Sequence, residues 1–435
     1  MHIELADTYR DTDLGREAET LLGPCVQCGQ CTFTCPTFRL LDDEWDGPRG
    51  RIYLIKQLFE GREPSVDSLP PAYTLKTLEG RNLGANLQLH LDRCLTCRAC
   101  ETSCPQGVRY GRLLDIGREL AEKISPRPLK DRLARRALRA VVPHPMRFTA
   151  LLRAGQALRR MLPEELRTRI PQRRSAGPWP ARAHARRMVV WQGCVQPSLA
   201  PDINAAAARV LDRFGIQLLA ARDGCCGVLS HHMAATDEAR DFMRKSIDAL
   251  WPHIEAGAEA IVITASGCGA HFRDYGQLLH DDPNYRDKAQ RVSDMTRDIA
   301  EVVAAEWQDG RLPDVPAPQP ARRIAFQSSC SLQHGEKLNG VVESLLKRAG
   351  FRLLPVRYSF MCCGSAGAYS ILQPTLAQAL RGRKMDTLLA SRPQAIATAN
   401  IGCLTHLAQV SPVPVHHWIE ILDATLRNGN LADAH

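Results

Sequence analysis

Apolar and polar positions follow two different rhythms along this 435-residue chain. In the first part the rhythm is helical. RGRIYLIKQLFEG, residues 49–61, carries apolar side chains at 52, 54, 55, 58 and 59, and RLLDIGRELAEKI, residues 112–124, carries a similar stripe, so each predicts a short amphipathic helix. Between 126 and 187, prolines at 126, 128, 143, 145, 163, 171, 178 and 180 leave room for two helices, LKDRLARRALRAVV and RFTALLRAGQALRRML, with arginine-rich polar faces. Beyond 188 the stripe gives way to short apolar runs. MVVW, IVIT and IAFQ read as buried strands, and the helical stretches between them predict α/β units with parallel strands.

This last part repeats itself. The stretch from RMVVWQGC to GCCGVLSHH is answered by RRIAFQSSC to MCCGSAGAY, and EAIVITASGCGAHF by QAIATANIGCLTHL. Cys194 and Cys330 lie 136 residues apart, Cys225 and Cys362 137, and Cys268 and Cys403 135, so an internal duplication explains the pattern. Each copy reads strand, Cys turn, helix, strand, Cys-Cys-Gly, helix, strand, Cys turn. In a parallel sheet the loops leaving the carboxyl ends of strands share one edge, which would bring these cysteines together.

Sixteen cysteines give the chain its chemistry. Cys25, Cys28, Cys31 and Cys35, followed by Pro36, form C-x2-C-x2-C-x3-C-P, and Cys94, Cys97, Cys100, Cys104 and Pro105 repeat it. This is the run of two-cluster [4Fe–4S] ferredoxins, where the fourth cysteine of each run serves the other cluster. The spacing therefore assigns Cys25, Cys28, Cys31 and Cys104 to one cluster, and Cys94, Cys97, Cys100 and Cys35 to the other. Structural zinc is the alternative for four thiolates, and two complete copies with the proline speak against it. Each proline is expected to keep its loop from running straight into helix. In the duplicated part, Cys194, Cys225, Cys226 and Cys268 form one soft-metal set, and Cys330, Cys362, Cys363 and Cys403 the other, for a further iron–sulfur cluster or for zinc. His271 and His406 recur as C-x2-H and are secondary ligand candidates. His231, His232, His334, His416 and His417 have no repeat partner and read as hydrogen-bonded or solvent-facing.

Charge adds one feature. From Arg127 to Arg187 there are 17 Lys or Arg against three acids, a net of +14 in a chain of net +9, so the basic character is local. It fits solvated linker helices or a surface for anionic lipid or an acidic partner. Sparse aromatics there argue against nucleic acid. Neither an export signal nor an apolar run of spanning length is read, and so many thiols suit a reducing compartment, so a cytoplasmic or peripheral location on the cytoplasmic face of the inner membrane is expected. A nucleotide-binding glycine fingerprint, a P-loop and a serine elbow are likewise not found, so no flavin or nicotinamide site is expected on this chain.

CVQCGQCTFTCPTFRLLDDEWDGPRGRIYLIKQLFEG, LQLHLDRCLTCRACETSCPQGVRYGRLLDIGRE and the two Cys-Cys-Gly repeats together resemble the iron–sulfur subunit of bacterial glycolate oxidase (glycolate dehydrogenase). The resemblance implies an oxidoreductase subunit that relays electrons from FAD-containing partner subunits, which oxidise glycolate to glyoxylate, to a membrane quinone or other acceptor. Iron–sulfur subunits of glycerol-3-phosphate and lactate dehydrogenases share the repeat, as do catalytic subunits of heterodisulfide-reductase type. The expected architecture is a mainly helical two-cluster ferredoxin-type domain at 1–125, a basic linker at 126–187, and two duplicated α/β domains with parallel sheets at 188–315 and 320–435.

Overall fold

The computed structural model describes residues 1–61, 83–161, 163–167, 170–222, 224–308 and 322–428; the expected junction between the repeats, 315–320, lies outside them. Thr12 opens helix Asp13–Leu22 by accepting the Gly15 N–H on its side chain, as an N-cap should. Helix Pro48–Phe59 buries Ile52, Leu54, Ile55, Leu58 and Phe59, the stripe seen in the sequence. It packs against helices Leu83–Asp92 and Tyr110–Ile124, and the three enclose one apolar core with Trp45, Leu87, Leu91, Leu113 and Leu114. Contrary to the expectation for the Cys-Pro turns, Pro36 does not hold a loop away from a helix but is itself the first residue of helix Pro36–Leu41. A first-turn proline loses no hydrogen bond, because that N–H has no partner within the helix.

The basic segment forms helices Leu129–Val141 and Pro145–Leu158. Part of its charge is turned inward. Arg127 pairs with Asp92, Glu122 and Asp131, Arg135 with Asp92 and Asp131, and Arg139 with Glu238. Leu129, Leu133, Met146, Leu151, Leu158 and Met161 remain exposed.

The duplicated part holds two four-stranded parallel sheets. The first contains β1 (Arg186–Trp191), β2 (Ile216–Ala220), β3 (Ile261–Ile263) and β4 (Thr296–Asp298) in the order β2-β1-β3-β4, with Val189 opposite Ile261 and Ile261 opposite Thr296. The second contains β5 (Arg323–Gln327), β6 (Arg352–Leu354), β7 (Ala395–Thr398) and β8 (Val415–His417) in the matching order β6-β5-β7-β8. Central strands buried on both faces need helices on both sides, which accounts for their unbroken apolar runs. The order reverses direction at β1 and β3, or β5 and β7, the point where parallel sheets open a crevice at their carboxyl edge.

The fourth strand of each unit was absent from the sequence reading. The chain between Cys268 and β4 carries two extra helices, Tyr275–Leu278 and Arg286–Met295, so the near-constant offset of the cysteines no longer holds there. Once β4 and β8 are matched, His417 stands at the place of Asp298. The backbone N–H groups of both donate to a glutamate three residues on, Glu420 and Glu301, each at 2.8 Å.

The two units meet reciprocally. Helix Asp202–Arg213 packs on Trp418–Asn428, and Ile299–Gln308 on Val341–Arg348, so each unit offers the other the helix before its second strand and the helix after its fourth. A single apolar core runs through both, from Val190, Ile203 and Val303 to Val342, Trp418 and Leu422.

Candidate metal centres

All sixteen cysteines are free thiols. Cys25, Cys28, Cys31 and Cys104 line a cavity of about 30 Å³ that Cys100 also borders, and Cys35, Cys94, Cys97 and Cys100 line another of about 20 Å³. The fourth cysteine of each run thus sits beside the first three of the other. Both runs use the same backbone device: Gln27 and Gly29 have φ of 56° and 79°, and Thr96 and Arg98 have 54° and 57°. Left-handed residues at these two places turn successive N–H groups toward one side, a concavity suited to an anionic group. The short helices Gln30–Phe33 and Ala99–Thr102 pack together, and Thr34 and Ser103 share a hydroxyl hydrogen bond of 3.0 Å across the seam.

Their surroundings differ. Cys28 is exposed, and Val26 and Phe33 beside it are 60% and 71% exposed. The second set lies against a buried guanidinium. Arg51 donates to the His90 carbonyl at 2.7 Å, Thr37 Oγ1 at 3.1 Å and Asp46 Oδ1 at 3.4 Å, and its Nη1 stands 3.9 Å from Cys35 Sγ. The Tyr110 hydroxyl donates to Cys94 Sγ at 3.7 Å. Burial raises Asp46, yet the His90 ring and the Arg51 and Arg93 guanidiniums outweigh it and hold the carboxyl below the usual range. Burial pushes the Cys31 thiol up to about 11 and those of Cys97 and Cys100 well above normal. Such thiols surrender their protons to a soft metal rather than to water.

The cysteines of each α/β unit gather at its carboxyl edge. Cys226 Sγ and Cys268 Sγ are 3.3 Å apart, their counterparts Cys363 and Cys403 3.2 Å, and Cys330 and Cys362 3.8 Å. The neighbouring Cys225 thiol, with burial, pushes Cys194 well above the normal thiol range. Cys268 and Cys403 sit inside helices Ser266–Arg273 and Ile401–Ala408, not in turns as the sequence reading had them.

The glycine of Cys-Cys-Gly has a definite task. Gly227 and Gly364 have φ of 91° and 89°, and a Cβ there would come within 2.8 Å of the Ala239 carbonyl oxygen and 2.5 Å of that of Ala377. Their N–H groups point at Cys225 Sγ, 3.4 Å, and Cys362 Sγ, 3.5 Å. Only glycine combines this conformation with this approach.

All eight of these cysteines line one cavity of about 380 Å³, bordered also by Cys94 and Cys97 of the second ferredoxin-type set. Leu95 and Cys97 pack with Cys330, Cys362, Tyr369 and Leu380 in one apolar cluster. His334 Nδ1 bonds Thr102 Oγ1 at 3.0 Å, and Arg98 pairs with Asp274, so the ferredoxin-type part is seated on both units. His271 and His406 line the same cavity with Nε2 atoms buried and unpartnered, and among the described residues neither ring hydrogen-bonds a cysteine. His271 stacks instead near His231, at 5.2 Å, and Tyr275, at 5.6 Å. Burial pushes His406 down to about 4 and His271 well below normal, so both rings are neutral, the form that can bind a metal.

Arg51 and Lys384 are site residues the sequence reading missed. Arg51 stands next to Ile52 and one helical turn before Leu54 and Ile55, and a charge at the edge of a buried stripe was the available signal. Lys384 becomes visible only when the helices of the two repeats are aligned.

Thiols clustered around each cavity, inward N–H groups and the lack of disulfides fit soft-metal and iron–sulfur binding. Comparison with known families agrees. Residues 22–108 match the 4Fe-4S dicluster domain, and 188–273 and 324–408 each match the CCG cysteine-rich domain. The chain is 48% identical over 428 residues to the glycolate oxidase iron-sulfur subunit of Escherichia coli, covering 98% of this chain and 99% of that protein. It is 28% identical over 421 residues to a probable glycolate oxidase iron-sulfur subunit of Bacillus subtilis, covering 88% and 87%. Lactate utilization protein A of an Exiguobacterium species is 24% identical over 237 residues, 53% of this chain and 94% of that protein. With near-complete coverage at 48% identity and both domain types in order, the chain belongs to the glycolate oxidase iron–sulfur subunit family.

Proposed function

We propose that this chain is the electron-relay subunit of a glycolate-oxidising complex. Its partner subunits carry FAD and convert glycolate to glyoxylate, and the electrons leave toward a membrane quinone or another acceptor. In this reading Cys25, Cys28, Cys31 and Cys104 hold one [4Fe–4S] cluster, and Cys94, Cys97, Cys100 and Cys35 the other. Cys194, Cys225, Cys226 and Cys268 hold a metal centre in the first repeat, and Cys330, Cys362, Cys363 and Cys403 one in the second, with His271 and His406 as secondary candidates. A bound iron–sulfur cluster supplies single-electron storage. The chain supplies order, distance and electrostatic surroundings.

The observation that carries the reading is the continuity of the cysteine sets. At one end Cys28 is exposed beside apolar Val26 and Phe33, a surface able to receive a partner subunit. At the other, Cys97 packs against Cys330 and Cys362. The two ferredoxin-type sets lie between, joined by their exchanged fourth cysteines. No helix among the described residues is long and apolar enough to cross a membrane. The exposed leucines and methionines on the arginine-rich helices Leu129–Val141 and Pro145–Leu158 support peripheral contact with an anionic bilayer.

The test is Cys97→Ser in protein purified anaerobically with its partner subunits. Loss of one ferredoxin-type paramagnetic signal, together with flavin-dependent acceptor reduction, is expected, whereas substrate-linked flavin reduction in the partner persists. Acceptor reduction at the unaltered rate would contradict the relay. About eight irons per chain with matching labile sulfide would account for the ferredoxin-type half, and more would extend iron into the repeats.

A further inference from the structure

The two repeats correspond residue for residue behind their glycines. A Cβ on Gly227 would meet the Ala239 carbonyl and Phe242 Cβ, and one on Gly364 the Ala377 carbonyl and Leu380 Cβ. Both pairs of neighbours are separated by 138 residues, and the same separation sets Lys384 at the place of Ser246. Ser246 is a neutral hydroxyl that donates to the Phe242 and Cys225 carbonyls at 2.9 and 3.0 Å. Lys384 is 3% exposed, and its ammonium donates to the Ser359 carbonyl at 3.0 Å and that of Tyr358 at 3.5 Å.

A buried ammonium calls for an anion. Among the described residues no carboxylate pairs with Lys384; burial pushes its pKa down, and Cys363, Cys362, Cys403 and Cys330 act against that, on the same face where its helix neighbours Leu380 and Met385 pack with Cys330 and Cys362 and with Cys363 and Cys403. As thiols these offer no counter-charge. As four thiolates on one zinc ion or one [4Fe–4S] core they outweigh the charge they enclose, and a filled site is an anion.

We infer that Lys384 is the built-in counter-ion of a metal–thiolate centre held by Cys330, Cys362, Cys363 and Cys403, and that it sets the reduction potential of this centre above that of its duplicate in the first repeat. The inference rests on the metal reading of the second repeat proposed above. Its physics is simple: a fixed positive charge in a poorly screened interior favours the more negative, reduced form. The first repeat has a serine in this position and lacks that bias. The raised potential falls on the copy that touches Cys97, where an electron-accepting site is useful.

The full-length protein, purified anaerobically, would be assayed for iron, labile sulfide and zinc, and its paramagnetic signals titrated against potential. Cys403→Ser identifies the signal belonging to the second repeat. Lys384→Met removes both charge and donor, and Lys384→Gln keeps a donor without the charge. Both variants are expected to move that signal's midpoint to lower potential by similar amounts and to leave the ferredoxin-type signals in place. A midpoint unmoved by either variant, or moved by methionine alone, overturns the counter-ion role and leaves the metal reading standing. Loss of zinc rather than of a signal in Cys403→Ser overturns the electron-accepting assignment. If that variant loses neither metal nor signal, the metal reading fails and the inference falls with it.

Discussion

The two α/β repeats share a strand order, a left-handed glycine behind each cysteine pair and a helix whose carbonyl crowds that glycine, yet the buried groups around this common frame differ in charge. At the end of the fourth strand, Asp298 in one repeat stands where His417 stands in the other, and the next residue is Ile299 in the first and Trp418 in the second. Backbone geometry survives duplication because the cysteine sites cannot form without it. A buried side chain is free to change as long as its own partners change with it.

The largest effect is expected from the shared core. Trp418 is fully buried among residues of both repeats, and Trp418→Ala should cost about 3–5 kcal/mol. Because that core is continuous, both repeats should lose stability in one transition; denaturant unfolding followed by site-specific probes in each would show two separate midpoints if the repeats were energetically independent.

The glycines come next. Gly227→Ala and Gly364→Ala each combine a φ near 90° with a carbonyl clash, and about 2–3 kcal/mol is expected for each. Gly364 should be the more sensitive, since its Cβ would lie 2.5 Å from the carbonyl against 2.8 Å for Gly227. Equal tolerance of alanine at both sites would remove the claim that the frame is what duplication preserved.

The smallest effect sharpens the comparison through pH. Burial pushes His417 down to about 4 from 6.5, so its neutral form is the folded one. Its contribution is intact above 6.5 and is lost as pH falls through about 4, by up to about 3 kcal/mol. Burial, with Glu301 nearby, pushes Asp298 in the opposite direction, above the usual carboxylate range. Its contribution is intact in acid and is lost as pH rises through its raised pKa. His417→Asn should therefore flatten the acid side of the stability profile, and Asp298→Asn the side toward neutral pH. Identical profiles for the two variants would mean that the twin positions do not differ electrostatically.

Much of the fold was legible because its signals are local. The stripe at Ile52, Leu54, Ile55, Leu58 and Phe59 is a property of one helix, and the runs MVVW and IAFQ are buried wherever their sheet lies. The three matched cysteine pairs located the repeats. The fourth strands escaped because TRD and VHH are short and polar, and because the helices inserted before β4 break the register of the duplication. Arg51 read as one more basic residue in a helix; nothing local shows that Asp46, Thr37 and the His90 carbonyl close around it.

By itself the sequence determined the inventory of this protein: two four-cysteine runs, two Cys-Cys-Gly repeats and a parallel α/β frame. Close spacing along a chain restricts which thiols can meet, and strand alternation restricts which edge they share. Only the tertiary structure decided which sets are neighbours, which is exposed and which has a charge beside it. Cys97 lies 233 residues from Cys330, and Lys384 is set on a separate helix that packs on the thiols of the second repeat, so both relations depend on how helices and sheets pack. Packing is settled by the burial of whole faces, which no short stretch of chain encodes alone.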